Sequence, residues 1–167
     1  MRSVMIIGSL FLSALAAEPT GIDRIAAYEG TWKIELENLD TPFSKAGKDS
    51  STLRNECWRS AGFYSCNQYV NGESKALIVF TYNSKNDTYT SHPIPADGGE
   101  PGSGKLLIKG NVWTFPWEIK KDGKTVSFRV VNVFTTPATI DYRQEYSTDQ
   151  IHWITTATGH EAKIPPK

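Results

Sequence analysis

The sequence predicts an all-β fold: an antiparallel up-and-down meander of about eight to ten strands closed into a barrel, with a short N-terminal helix over the closed end. Three observations predict it. The stretch Thr31–Glu37 alternates without a fault, with Trp32, Ile34 and Leu36 apolar and Thr31, Lys33, Glu35 and Glu37 polar. That is the period of a strand with one dry and one wet face. Short runs rich in Tyr, Phe, Trp, Thr and Val then follow one another, and Gly110-Asn111 and Asp122-Gly123 between them are strong two-residue hairpin turns. Strands joined by tight turns pair in sequence, and a long meander hides its two edges most directly by closing on itself. The alternative is an open two-sheet sandwich, with the Gly-rich segment 97–104 crossing between the sheets.

In chain order, residues 1–16 read as a cleaved signal peptide. Arg2 supplies positive charge, Val4 to Leu15 is apolar, and Ala14-Leu15-Ala16 offers small residues for cleavage after Ala16. The apolar run falls short of the roughly 20 residues that span a bilayer. No cysteine follows it, which disfavours a lipid anchor. Residues 17–160 read as a single barrel domain and 161–167, with Pro165-Pro166, as a frayed tail. The 167 residues carry 18 Lys and Arg against 18 Asp and Glu. Such a balance speaks against a nucleic-acid footprint or attachment to anionic lipid. The expected product is exported, periplasmic or extracellular, from a bacterial source, with no membrane anchor.

Thr20–Tyr28 reads as one or two helical turns, with Thr20 as cap and Ile22, Ile25 and Tyr28 at helical spacing. Gly30 turns the chain into the first strand, where Trp32 is large enough to plug the near end of a core. Residues 40–48 form a loop long enough to be a lid or only a wide connection. Strands are expected at 52–58, 63–70, 74–82, 88–91, 105–109, 112–120, 125–135, 139–147 and 151–158, the first two forming a hairpin that sets Cys57 nearly opposite Cys66. An even pair of cysteines in an exported chain reads as a structural disulfide. A redox pair would more naturally sit closer, as Cys-x-x-Cys. His92, His152 and His160 show no metal-ligand spacing near the cysteines.

A short helix, Gly30-x-Trp32 on the first strand and an up-and-down series of strands together resemble the calycin superfamily, the lipocalins and their fatty-acid-binding relatives. The pattern is most like small secreted bacterial lipocalin-like proteins. The resemblance implies that Gly30 and Trp32 mark the closed end and that a basic side chain from a late strand covers the indole, with Arg143 the first candidate and Arg129 the second. The chain lacks the Arg-x-Tyr by which fatty-acid binders hold a carboxylate. The adjacent Tyr142-Arg143 does not replace it, because neighbouring strand residues face opposite ways.

Trp113, Phe115, Trp117 and Ile119 share one strand face, and Tyr142 lies on the face of Ile140, Gln144 and Tyr146. Lining the lumen at or near its open end, the end away from Trp32, the residues Trp113, Phe115, Trp117 and Tyr142 are the candidate ligand-binding residues for a small apolar or amphipathic molecule. The plainer reading of the aromatic strand is that it fills the barrel or covers its outside. Haem is an alternative that needs His152 or His160 on the lumen side; otherwise no cofactor is indicated. The sequence carries no Gly-x-Ser-x-Gly, Ser-x-x-Lys or phosphate-cradling motif, so an enzyme acting within the barrel is the least favoured reading. A filled barrel acting as a protein-binding or inhibitor module is the rival reading.

Overall fold

The computed structural model describes residues 19–166; the leader expected at 1–16 lies outside the described residues. A 3₁₀ helix, Gly21–Tyr28, leads into β1 (Gly30–Asn38), β2 (Gly47–Arg59), β3 (Phe63–Val70), β4 (Glu73–Asn83), β5 (Thr88–Pro95), β6 (Gly104–Lys109), β7 (Val112–Lys121), β8 (Lys124–Thr136), β9 (Thr139–Ser147) and β10 (Ile154–Ile164). Every strand pairs antiparallel with its sequence neighbours, and β1 pairs with β10, so the sheet is a closed barrel. The sandwich falls with that closure: segment 97–104 joins β5 to β6, which lie side by side.

Three residues per turn let Ile22, Ile25 and Tyr28 stack in one line, without the drift an α-helix would impose. Ile22 and Ile25 are buried, and the helix seats against β2, β3 and β4 as a plug in the closed end. Thr20 makes no side-chain cap. The start of the helix is held instead by the Tyr89 hydroxyl, which donates to the Gly21 carbonyl at 2.9 Å. At the far end the Tyr28 carbonyl accepts from the Trp32 indole at 3.0 Å and from the Asn55 amide at 3.2 Å. Gly30 enters β1 at φ 116°, a conformation that strains any other residue.

Trp32 is fully buried, and the basic group over it is Lys163, whose ammonium sits 4.8 Å from the ring. Arg143 and Arg129 do not cover it. Both bind the buried Glu145 carboxylate on the outer face, each at 2.6 Å, and Arg129 stacks 3.9 Å from Trp153. Lys163 reaches the indole because β10 runs to Ile164 and pairs with β1 as far as Thr31. Residues 161–164 are therefore barrel and not frayed tail; without them the start of β1 would be an open edge. At its other end β10 begins late. His152 and Trp153 sit in the preceding loop, where the Asp149 carboxylate accepts from the Ser147 hydroxyl and the Ile151 and His152 amides.

Cys57 and Cys66 face each other across β2 and β3 and form a disulfide. Closing so short a loop contributes roughly 2–3 kcal/mol, and such a bond suits an oxidising, exported environment. The ladder is thinnest at β6, which meets β5 only over Gly104–Leu106 and β7 over Leu107–Lys109. Past those pairs β5 and β7 run on without a strand between them, and Pro93, Pro95 and Pro116 stand along the slot. Lacking an N–H, they make it a poor template for a further strand.

Candidate functional site

The interior is layered along the barrel axis. At the floor Tyr28 meets Trp113 edge-on at 4.8 Å and Phe134 at 5.6 Å, and Trp113 is 3% exposed. At the open end the connection 39–46 folds inward, held by a hydrogen bond of 2.7 Å between the Thr41 and Ser44 hydroxyls. It sets Phe43 edge-on against Phe128 at 5.1 Å and Tyr146 at 4.6 Å. Phe43 is thus a lid residue. Trp117 stacks on Phe128 at 5.3 Å beside it.

Between floor and lid the barrel is not filled. A cavity of about 190 Å³ has apolar walls from Leu53, Ile78, Phe80 and Phe115, with Cys66 of the disulfide among them. Asn55, Gln68, Asn132 and Glu161 supply its polar groups, and Tyr28 closes it below.

The expected ligand-binding residues separate by height. Phe115 is on the cavity wall; Trp113 lies beneath it as packing; Trp117 is at the rim, 39% exposed. A strand advances about 3.3 Å per residue, so two residues four apart are roughly 13 Å apart. One small ligand cannot touch all three. Tyr142 faces the lumen beside the cavity, its hydroxyl donating to Gln144 at 2.9 Å. His160 is on the outer face, 3.1 Å from Asp141, and His152 is 85% exposed beside Asp149. Neither histidine faces the lumen, which removes the haem reading. Among the described residues no group of three or more His, Cys, Asp or Glu gathers to hold a metal ion.

The polar groups of the cavity are the ones that motif reading does not find. Asn132 is the single polar side chain on an inward face otherwise made of Val126, Phe128, Val130 and Phe134. Its amide donates to the Tyr28 hydroxyl at 2.8 Å, while its Oδ1 is buried without a partner among the described residues. Such an orphan acceptor costs about 1–3 kcal/mol. Glu161, on β10, is 6% exposed. Desolvation lifts its pKa from 4.5 to about 7, opposed weakly by His160. Burial pushes Tyr142 up to about 12, with the Glu161 charge adding to it. Burial also raises the Tyr28 hydroxyl well above the usual tyrosine range, against the Asn132 hydrogen bond and with Glu161 again adding. The three groups share one neighbourhood in which negative charge is unwelcome.

A second, larger depression of about 570 Å³ is shallow and open to solvent on β1, β2 and β10, between Glu35, Lys48 and His160. It holds neither a desolvated acid nor an orphan acceptor, so the lumen is the stronger site.

No family model and no curated protein matches the chain. Among solved structures it is similar to a redesigned β-barrel at 16% identity and a TM-score of 0.36, the match covering 84% of this chain and 94% of that one. The described residues form a closed antiparallel β-barrel of ten strands.

Proposed function

We propose that this is an exported, calycin-type binding protein that holds a small amphipathic molecule in its lumen and performs no chemistry on it. The cavity carries the reading. Protein interiors pack to crystal density and pair their buried polar atoms, yet here space is left beside an unpaired Asn132 Oδ1 and a desolvated Glu161. Apolar walls with a few placed polar groups are the make-up of a small-molecule site. A void of about 150 Å³ holds benzene, so a volume of about 190 Å³ suits a single ring with a short substituent.

The calycin reading is supported by the plugging helix, by Gly30-x-Trp32 at the plugged end and by a basic side chain over the indole. Export to a bacterial periplasm or beyond is supported by the signal-like sequence pattern of residues 1–16 and by the disulfide. The rival, a protein-binding module, draws on Trp58 and Phe63, both exposed at the end of the β2–β3 hairpin.

Native mass spectrometry of protein recovered from its source tests the reading. A bound mass of the size of one substituted ring is expected, and Phe115→Trp, which fills the cavity, should lose it. No bound mass, together with no quenching of tryptophan fluorescence by any member of a small-molecule panel, would leave the protein-binding module as the better account.

A further inference from the structure

We infer that the lumen selects a small amine, its ammonium on Glu161 and a second donor on Asn132 Oδ1, with an apolar body no larger than one ring. This rests on the lumenal-binding reading and sharpens it. The cavity wall bears one carboxyl and no base: among its lining residues Glu161 is the sole Asp or Glu, and none is Lys, Arg or His.

The groups that face Glu161 supply no counter-ion. Tyr28 on the helix and Tyr142 on β9 are neutral hydroxyls. His160 points outward to Asp141, and the Lys163 ammonium is drawn over Trp32. Desolvation governs Glu161, and no ion pair or hydrogen bond engages its carboxyl among the described residues.

Each class of ligand then fares differently. A carboxylate would bring a second negative charge into a site that already disfavours one. A purely apolar guest would leave the carboxyl and Asn132 Oδ1 as they are. An ammonium neutralises Glu161 through a charge-assisted hydrogen bond, the stronger kind. The rings of Phe80, Phe115 and Tyr28 on the same wall offer faces that attract a cation. The amide of Asn132 is tethered by Tyr28, so its acceptor is held ready for a second N–H or O–H of the ligand.

The probes are 2-phenylethylamine, the neutral 2-phenylethanol and the anionic 3-phenylpropionate, three molecules of similar size. Isothermal titration at pH 8 on the wild type and on Glu161→Gln reads the outcome. The amine should bind the wild type about tenfold or more tightly than either analogue. In Glu161→Gln that preference should vanish while 2-phenylethanol still binds, which shows that the variant keeps its lumen. Because the amine needs the carboxylate, its affinity for the wild type should fall as the pH drops below about 7, and the alcohol's should not. An alcohol bound as tightly as the amine, or an unchanged amine affinity in Glu161→Gln, overturns amine selection and leaves lumenal binding standing. If none of the three binds, in a protein that also carries no mass from its source, both readings fall.

Discussion

Burial of one carboxyl, Glu161, costs this fold stability as the pH rises. Asp149, Glu35 and Glu73, held below the usual carboxylate range by hydrogen bonds from His152, Lys33 and Lys75, act the other way. The folded pKa of Glu161, about 7, lies above its value of 4.5 in an exposed chain, so the folded state holds the proton more tightly than the unfolded state does. The stability this confers is full below about pH 4.5 and is lost as the pH rises through 7. The gap is worth about 3 kcal/mol. Glu161→Gln keeps the shape and removes the charge, so at pH 8 it should raise the melting temperature by several degrees, at roughly 2–4 °C per kcal/mol for a chain of this size. At pH 4 the two proteins should melt together; a gain of equal size at both pH values would mean that burial of the charge is not the cause. The same substitution should weaken an amine ligand, so stability and binding move in opposite directions. Glu161 was legible as a residue type but not as a site, because its place depends on β10 continuing past His160. The covering group over Trp32 is a like case. Basic residues are easy to count, but only the register of Thr31 against Ile164 puts Lys163 on that indole.

Among the strands, β1 and β10 form the seam on which closure depends, and Gly159 is its tight point. A Cβ there would lie 2.4 Å from Leu36 Cδ2 and 2.6 Å from the Glu35 carbonyl oxygen. The leucine can turn aside; the backbone oxygen cannot. Gly159→Ala should therefore destabilise by about 1–3 kcal/mol, as overpacking does, seen as a lower denaturation midpoint in urea. Leu36→Ala made on that background should fail to restore it, and a full rescue would show that the side chain alone is the obstacle. Alternation and turn chemistry made most of the strands legible: β9 runs Thr139–Ser147 as its alternation indicates, and Asp122-Gly123 turns with φ positive at both residues. Asn71-Gly72 does the same between β3 and β4 and is as clear a hairpin signal. The misplaced ends have local causes. The run 151–153 looks like strand, but Asp149 gathers its amides into a loop; Pro165-Pro166 suggests an early stop, but the ladder with β1 carries β10 up to that point.

For the molecule as a whole, the closed meander followed from the sequence and the lumen did not. Closure needs only many short strands, tight turns and edges to hide. The cavity is what remains after side chains from opposite walls have met, and no alternation pattern says whether Phe115 on β7 reaches Leu53 on β2. Nor does it say that Phe43, in a connection without strand character, returns over Phe128 and Tyr146. One feature of the architecture extends beyond binding. Because β1 pairs with β10 just as each strand pairs with the next, the strand order is a ring, and a ring has no first member. The place where the polypeptide starts is then incidental to the barrel. A permuted chain whose described ends, 19 and 166, are joined by a flexible linker across the plugged end, and which opens within 97–103, keeps every ladder, the disulfide and the cavity wall. It should melt cooperatively near the parent temperature and hold the same guest; a permutant without a cooperative transition would show that the original order is needed for folding even though the finished barrel does not record it.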